Sequence, residues 1–380
     1  MKKKLRAGLI GCGNVALNHH IPALNCLDGV EVTGVADPTA ANRELARLAL
    51  KLPDRAAHAD HRGLLKSSIN YAVLAAPPQF RPAIIADCAR AGVRVLTEKP
   101  LCVVPAEGQV MIDRMREADL SFGMIHNWLF LPEYRLAHKL VLSGSIGTPR
   151  HITLQQLGMR VNPGNANYHR HWRHDFAHSG GGILMDLVHL IYLAIHLMGR
   201  PIQAVSATVD NFDRDGEQVE EFATAQLHFD GGYVSANAWW GQGPNGFELS
   251  GTAGYIVHFQ NTSGDSVLSQ VTVVNSDGAR SFPVTSNKTD PCTGPFATVH
   301  RDFIQAILEH KEPVAPATAG LTALEGVIAA YASAATGQTV PLPLDRGSSL
   351  FKKGTAGIRD LPIRPDSPVS KRRLFGLKEC

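Results

Sequence analysis

The stretch Leu5-Arg6-Ala7-Gly8-Leu9-Ile10-Gly11-Cys12-Gly13-Asn14-Val15-Ala16 decides the fold. Leu5 to Ile10 is short and largely apolar, as a parallel strand covered on both faces must be. Gly11 permits the tight turn that follows. Gly13 lets the backbone approach a pyrophosphate, whose charge is received by the N–H groups of Asn14 and Val15 at the start of a helix over residues 14–25. Ala16 stands where a small residue lets that helix pack on its strand. Asp37 closes the next apolar run, 21 residues beyond Ala16. At that distance a carboxylate accepts hydrogen bonds from an adenosine ribose 2′-OH and repels a 2′-phosphate, so the whole predicts a dinucleotide site that prefers NAD, with NADP the less favoured cofactor.

Strand and helix then alternate: residues 30–36, 71–76 and 93–97 read as strands, and residues 40–50 and 81–91 as helices. Repeated βα units predict a doubly wound parallel sheet, in which ligands bind beyond the carboxyl ends of the strands. That rule delivers Ala76-Pro77-Pro78 and Glu98-Lys99-Pro100 to the cofactor crevice. After about residue 122 the pattern changes. Residues 205–209, 222–229, 233–238 and 247–250 read as strands separated by turn signals such as Asp230-Gly231-Gly232 and Asn245-Gly246, which favours an antiparallel sheet. Residues 298–309 and 321–336 read as helices. The expected organisation is a nucleotide-binding domain over 1–122, a substrate domain over 123–345 and a basic arm over 346–380.

A chain of 380 residues with 44% hydrophobic content can bury a core of this size. Cys12, Cys26, Cys88, Cys102, Cys292 and Cys380 are scattered, with no CxxC and no disulfide-like density, which reads as a reducing, cytoplasmic setting. Lys2-Lys3-Lys4 has the charge of a signal peptide, but Gly8, Gly11 and Gly13 interrupt the apolar segment behind it. The most apolar helix-like stretch, residues 183–198, contains Asp186, His189 and His196, which argues against a membrane span. Net charge is +3, yet the arm holds nine Lys/Arg against three acids, leaving the body slightly acidic. No aromatic platform or recognition helix accompanies that charge, so the arm reads as a solvated tail or a strap on a neighbouring subunit, not a nucleic-acid site.

Gly11 to Ala16, Ala75-Ala76-Pro77-Pro78, Glu98-Lys99-Pro100-Leu101, Gly180-Gly181-Gly182 followed by Asp186 and His189, and Gly251-Thr252-Ala253-Gly254 occur in this order. In that order they resemble the glucose-fructose oxidoreductase / inositol dehydrogenase / rhizopine-catabolism (Gfo/Idh/MocA) family over about residues 5–343. The resemblance implies an α/β chain: an N-terminal Rossmann domain, then an α/β domain whose large open, mainly antiparallel sheet floors the substrate site and often forms the interface of a homodimer or homotetramer. It also implies oxidation of a secondary alcohol of a sugar or cyclitol, or reduction of the matching ketone, without a metal. The sequence departs from the family pattern at Ala76, where Thr is common, at Arg81, where His is common, and at Leu129, where Arg is frequent. The separation of Asp186 and His189 is one residue short of the usual one.

The residues account for this chemistry themselves. Hydride leaving a carbinol carbon leaves a hydroxyl proton for a base to remove. Lys99 can stabilise the charge developing on the reacting oxygen. Asp186 and His189, three apart on one expected helix, share a face; His189 is the natural proton acceptor, with Asp186 orienting it or binding a hydroxyl. Asn127, Trp172 and Arg173 complete the expected substrate contacts, Arg173 as a bidentate grip on an anionic group. The run Tyr168 to His178 contains four histidines at spacings that match no standard metal site. Two alternatives to a dehydrogenase stay open at this point: an NAD-dependent glycosidase of the same family, and a cofactor-sensing regulator that has lost its chemistry.

Overall fold

A computed structural model describes residues 4–159, 172–212, 217–260, 268–285 and 290–377. The apolar runs of the first third become β1 (Leu5–Ile10), β2 (Val30–Ala36), β3 (Ala57–His58), β4 (Tyr71–Leu74), β5 (Arg94–Thr97) and β6 (Phe122–Met124). They form one parallel sheet in the order β3-β2-β1-β4-β5-β6. The order reverses between β1 and β4, which creates the crevice where such sheets bind nucleotides. β4 is buried along its whole length, as its run of Tyr71, Ala72, Val73 and Leu74 requires.

The chain divides into two units, and neither is continuous in sequence. One comprises Met1–Asn127, Pro163–Trp172 and Asn287–Leu321; the other comprises Trp128–Asn162, Arg173–Ser286 and Thr322–Cys380. The helix Pro295–Glu309, expected in the substrate domain, therefore belongs with the parallel sheet. Its Phe303 is fully buried, with its ring 5.9 Å from that of Tyr71 on β4. Burying such a side chain contributes about 1.5–3 kcal/mol. A helix arriving from so far along the chain leaves no local signature in the sheet it covers.

The second unit is built on β7 (Pro149–Gly158), β8 (Ile202–Asp210), β9 (Phe222–Phe229), β10 (Gly232–Gly251), β11 (Gly254–Gln260), β12 (Leu268–Asn275), β13 (Gly278–Thr285) and β14 (Val340–Pro341). The sheet is mostly antiparallel, in the order β13-β12-β11-β10-β9-β8-β14, with β7 alongside β10. Strict alternation buries Ala223, Ala225, Leu227 and Phe229 of β9 on one face and leaves the other partly open. The expected pair of strands at 233–238 and 247–250 is one 20-residue element, β10. Residues 233–240 lie beside 151–158, and residues 245–251 run back beside 156–149, so β10 doubles around β7. The reversal falls between Trp240 and Asn245; Asn245-Gly246, expected as the turn, is already in the returning strand.

The basic arm is not a solvated tail. It forms the helix Ser349–Lys353, the 3-10 turn Gly354–Asp360, the helix Pro368–Lys371 and the 3-10 turn Leu374–Gly376 within the second unit. Leu350, Phe351, Ile358, Val369, Leu374 and Phe375 are buried. Short tight turns have no 3.6-residue period, which is why the sequence shows none there. Among the described residues, no single helix is long and apolar enough to cross a membrane.

Cys26, just after the helix Ile21–Asn25, is disulfide-bonded to Cys292 at the approach to the helix Pro295–Glu309, with Cα atoms 5.1 Å apart. The expectation of wholly unpaired cysteines is thus corrected: 266 residues separate the two, so their spacing carried no pairing signal. Cys12, Cys88 and Cys102 are buried thiols. Replacing Cys292 with Ser is expected to lower the unfolding free energy by about 2–4 kcal/mol without reductant. A urea midpoint equal to that of the oxidised wild type would show that the bond contributes nothing.

Candidate active site

The dinucleotide turn is built as its residue types require. Gly11 has φ +88°, and a Cβ there would press on the backbone of Ala75 and Ala76. The helix that follows contains one π turn, Ala16–His20, before it continues as Ile21–Asn25. Its first-turn N–H groups, including those of Asn14 and Val15, have no intrahelical acceptor and so suit an anionic group. Asp37 is buried; its Oδ2 accepts the Cys12 N–H at 2.7 Å and its Oδ1 the Thr39 N–H at 2.8 Å. Each oxygen keeps acceptor capacity for a ribose hydroxyl. These residues fit NAD: a narrow backbone turn, a helix start and a carboxylate, all at the carboxyl ends of β1 and β2.

Lys99 follows β5 in a loop held by buried charge. Arg81, 2% exposed, donates to the carbonyls of Ala76, Glu98, Lys99 and Pro100, joining the two strand-end loops, Ala76-Pro77-Pro78 and Glu98-Lys99-Pro100. Burial lowers its pKa to about 10, against the pull of Glu98, so the guanidinium stays charged near neutrality. Glu98 in turn accepts the Lys99 N–H on Oε2 at 3.0 Å and faces His20 Nε2 with Oε1 at 3.1 Å. Burial works to raise the Glu98 pKa, but the His20 hydrogen bond and the positive charges of Lys99 and Arg81 outweigh it and hold the group ionised.

Behind this lies a second imidazole, with His20 Nδ1 3.1 Å from His300 Nε2. Burial, then His20, holds the pKa of His300 well below its ordinary value, and its Nδ1 has no partner among the described residues. A buried N–H without an acceptor is the costlier arrangement. Nε2–H of His300 therefore donates to His20, and Nε2–H of His20 to Glu98. His126 is also buried here, its pKa lowered to about 3 by burial and by Lys99.

In the second unit the helix expected over 183–198 is broken. Asp186 ends the helix Ile183–Asp186 and His189 starts the helix His189–Met198, with a bend of 43° between the stretch Phe176–Asp186 and that second helix. The two residues flank a hinge instead of sharing one helical face. Arg173 Nε lies 3.4 Å from Asp186 Oδ1, so the guanidinium expected to grip substrate pairs with the candidate catalytic carboxylate. The His189 ring stacks on Trp128, with centroids 4.8 Å apart and planes within 7°.

Four residues are too few for a self-supporting helix, and Ile183–Asp186 is held by its start. Glu220, fully buried, accepts the Gly182 N–H on Oε2 (2.7 Å), the Ile183 N–H on its carbonyl (3.0 Å) and the Leu184 N–H on Oε1 (2.9 Å). Tyr331 Oη accepts the Met185 N–H at 3.0 Å and donates to Glu220 Oε1 at 2.6 Å. All four orphan donors of that helix start are thus satisfied. The Gly180-Gly181-Gly182 run has its reason here: a Cβ on Gly181 would strike Tyr331, and one on Gly182 would strike Glu220.

Asn127 and Trp172 are half-buried, in the 3-10 turn Asn127–Phe130 and at the start of Trp172–His174. Tyr168, His169, Arg170 and His171 lie outside the described residues. His174 Nδ1 faces Glu217 at 2.8 Å and His178 Nδ1 faces Asp175 at 2.7 Å. Among the described residues, no three His, Cys, Asp or Glu side chains converge to hold a metal.

Sequence reasoning missed Glu220, Tyr331, His20 and His300 in these roles, because each sits in an apolar or unpatterned context far along the chain from what it holds. Burial raises the Glu220 pKa to about 7, against the hydrogen bonds of Tyr331, Leu184 and Gly182. The native state therefore keeps a proton that the unfolded chain releases between about pH 4.5 and about pH 7, and stability falls as pH rises through that window. Glu220→Gln should flatten this slope in urea midpoints taken against pH; the same slope in both proteins would remove Glu220 as its source.

Residues 5–126 match the oxidoreductase-family model for an NAD-binding Rossmann fold, and residues 134–257 match that of the GFO/IDH/MocA C-terminal domain. The chain is 26% identical over 353 residues to the 1,5-anhydro-D-fructose reductase of Ensifer adhaerens, covering 89% of this chain and 98% of that one. The aldose-aldose oxidoreductase of Caulobacter crescentus, solved in complex with glycerol, is similar in structure with a TM-score of 0.79 at 22% identity, over 90% of this chain and all of the other. A levoglucosan dehydrogenase in complex with NADH and levoglucosan gives 0.76 at 21% identity, again over 90% and 100%. With its glycine turn, Asp37 and the Glu98-Lys99-Pro100 loop in place, the chain belongs to the Gfo/Idh/MocA family of NAD(P)-dependent oxidoreductases that act on sugar and cyclitol hydroxyl or keto groups.

Proposed function

We propose that the protein is an NAD-dependent dehydrogenase that oxidises a secondary hydroxyl of a sugar, aminosugar or cyclitol, or reduces the matching ketone. One observation carries this reading: Lys99 stands at the carboxyl end of β5, on the same sheet edge as Gly11 and Asp37, in a loop that Arg81 and Glu98 fix from behind. NAD, when bound, supplies the hydride-accepting carbon, nicotinamide C4.

The residues divide the remaining tasks. Gly11, Gly13, Asn14, Val15 and Ala16 receive the pyrophosphate, Asp37 the adenosine ribose, and Ala76, Pro77 and Glu98 form the wall of the crevice. The Lys99 ammonium donates to the reacting oxygen and stabilises its developing charge. In this reading His189 serves the same substrate by taking the hydroxyl proton. Its ring is steadied by Trp128, while Arg173 orients Asp186 toward a substrate hydroxyl. Asn127 and Trp172 add contacts to the polyol.

Titration with NADH and NADPH, followed by nicotinamide fluorescence, should show saturable binding that prefers NADH. Asp37→Ala should weaken NADH about 10- to 100-fold, the worth of a charge-assisted hydrogen bond, and NADPH less. An equal loss for both would mean that Asp37 does not meet the ribose. Its melting temperature is recorded alongside, because Asp37 also holds Cys12 and Thr39. Lys99→Ala should lower turnover of an oxidised polyol by about 10² to 10⁴ while NADH affinity stays within a few-fold. Unchanged turnover at 340 nm would take Lys99 out of the chemistry.

A further inference from the structure

The arm's last turn is docked on the residues that hold the helix carrying Asp186. Phe375 is 1% exposed; its ring lies 4.5 Å from Tyr331 and 5.9 Å from Phe176. Its N–H donates to the Gln218 carbonyl at 2.7 Å, two residues before Glu220. Phe375 therefore touches both groups of the cap: the ring that brings the Tyr331 hydroxyl, and the backbone that brings the Glu220 carboxylate.

The conformation there is not a relaxed one. Arg373 and Phe375 both have positive φ, 54° and 58°, a region that disfavours residues with a Cβ and persists where surrounding contacts over-determine it. Those contacts are present. Arg359 Nη2 donates to the Gly376 carbonyl at 2.6 Å, Arg372 Nε meets Asp210 Oδ1 at 3.3 Å, and Leu374 is fully buried. A segment that only filled surface would relax out of two left-handed residues.

We propose that the turn Leu374–Gly376 is a positioning element for the reaction: Phe375 fixes Tyr331 and Gln218, so that Tyr331 and Glu220 hold Ile183–Asp186 at the angle that sets Asp186 and His189. This rests on the dehydrogenase reading for its catalytic consequence, but not for its mechanics. Tyr331 and Phe375 touch no reacting atom in it. They act through the backbone donors of Gly182, Leu184 and Met185, and a misplacement of about 1 Å at a reacting group is worth up to about 100-fold in rate.

The test uses the full chain and two variants, Phe375→Ala and Tyr331→Phe; the second keeps the ring and removes only the hydroxyl. Hydrogen exchange by mass spectrometry over residues 182–188 reads the hold on the helix directly. Exchange there should quicken about tenfold or more in both variants, while kcat falls roughly 10- to 100-fold and KM for NADH stays within about twofold. Phe375→Leu should restore most of both, which a nonspecific loss of fold would not allow. Unchanged exchange in folded Tyr331→Phe would overturn the proposal, as would faster exchange with wild-type kcat. A wild type without any nicotinamide-linked turnover would sink the dehydrogenase reading instead, and exchange would still decide whether the arm holds the helix.

Discussion

Backbone amides and carbonyls that end buried elements must find partners, and in each unit one buried ionisable side chain gathers several of them beside a candidate residue. Arg81 collects the carbonyls of two strand-end loops, and Glu220 collects the amides of one short helix start. Both are buried ionisable groups, tolerated because the contacts named are hydrogen bonds of the complementary kind. Flexible loops are thereby turned into fixed platforms for Lys99 on one unit and Asp186 on the other.

How much of this was legible depends on the range of the interaction. Gly11, Gly13, Ala16 and Asp37 announce themselves because a strand, a turn and a helix start are contiguous, and their chemistry is local. The parallel sheet follows from the same short-range alternation. The antiparallel sheet was legible in class, but not in the way β10 encloses β7, since pairing partners eighty residues away leave no local mark. Asp186 and His189 were found as candidates, yet the bend between them was not, because apolar continuity over 183–198 conceals the break at Leu187 and Val188. The Cys26 to Cys292 bond and the docking of Phe375 were unreadable for the same reason: their partners are fixed by tertiary contact and not by spacing.

Arg81 and Arg173 are instructive as departures. Arg81 stands where the family commonly has His, and its buried guanidinium reaches four carbonyls that one imidazole could not. Arg173 was read as a ligand for substrate charge; its ion pair with Asp186 makes it a partner of the protein's own carboxylate. In both cases the partner could be named only from coordinates.

The helix Pro295–Glu309 has a consequence for how the protein is made. Synthesis runs from the N-terminus, so the parallel sheet emerges from the ribosome long before the helix whose Phe303 covers Tyr71. For the time needed to translate more than 160 residues between them, at roughly 5–20 residues per second, that apolar face has no native cover. The nascent N-terminal segment keeps that face without its native cover over the interval, and the bond between Cys26 and Cys292 can close only when it ends.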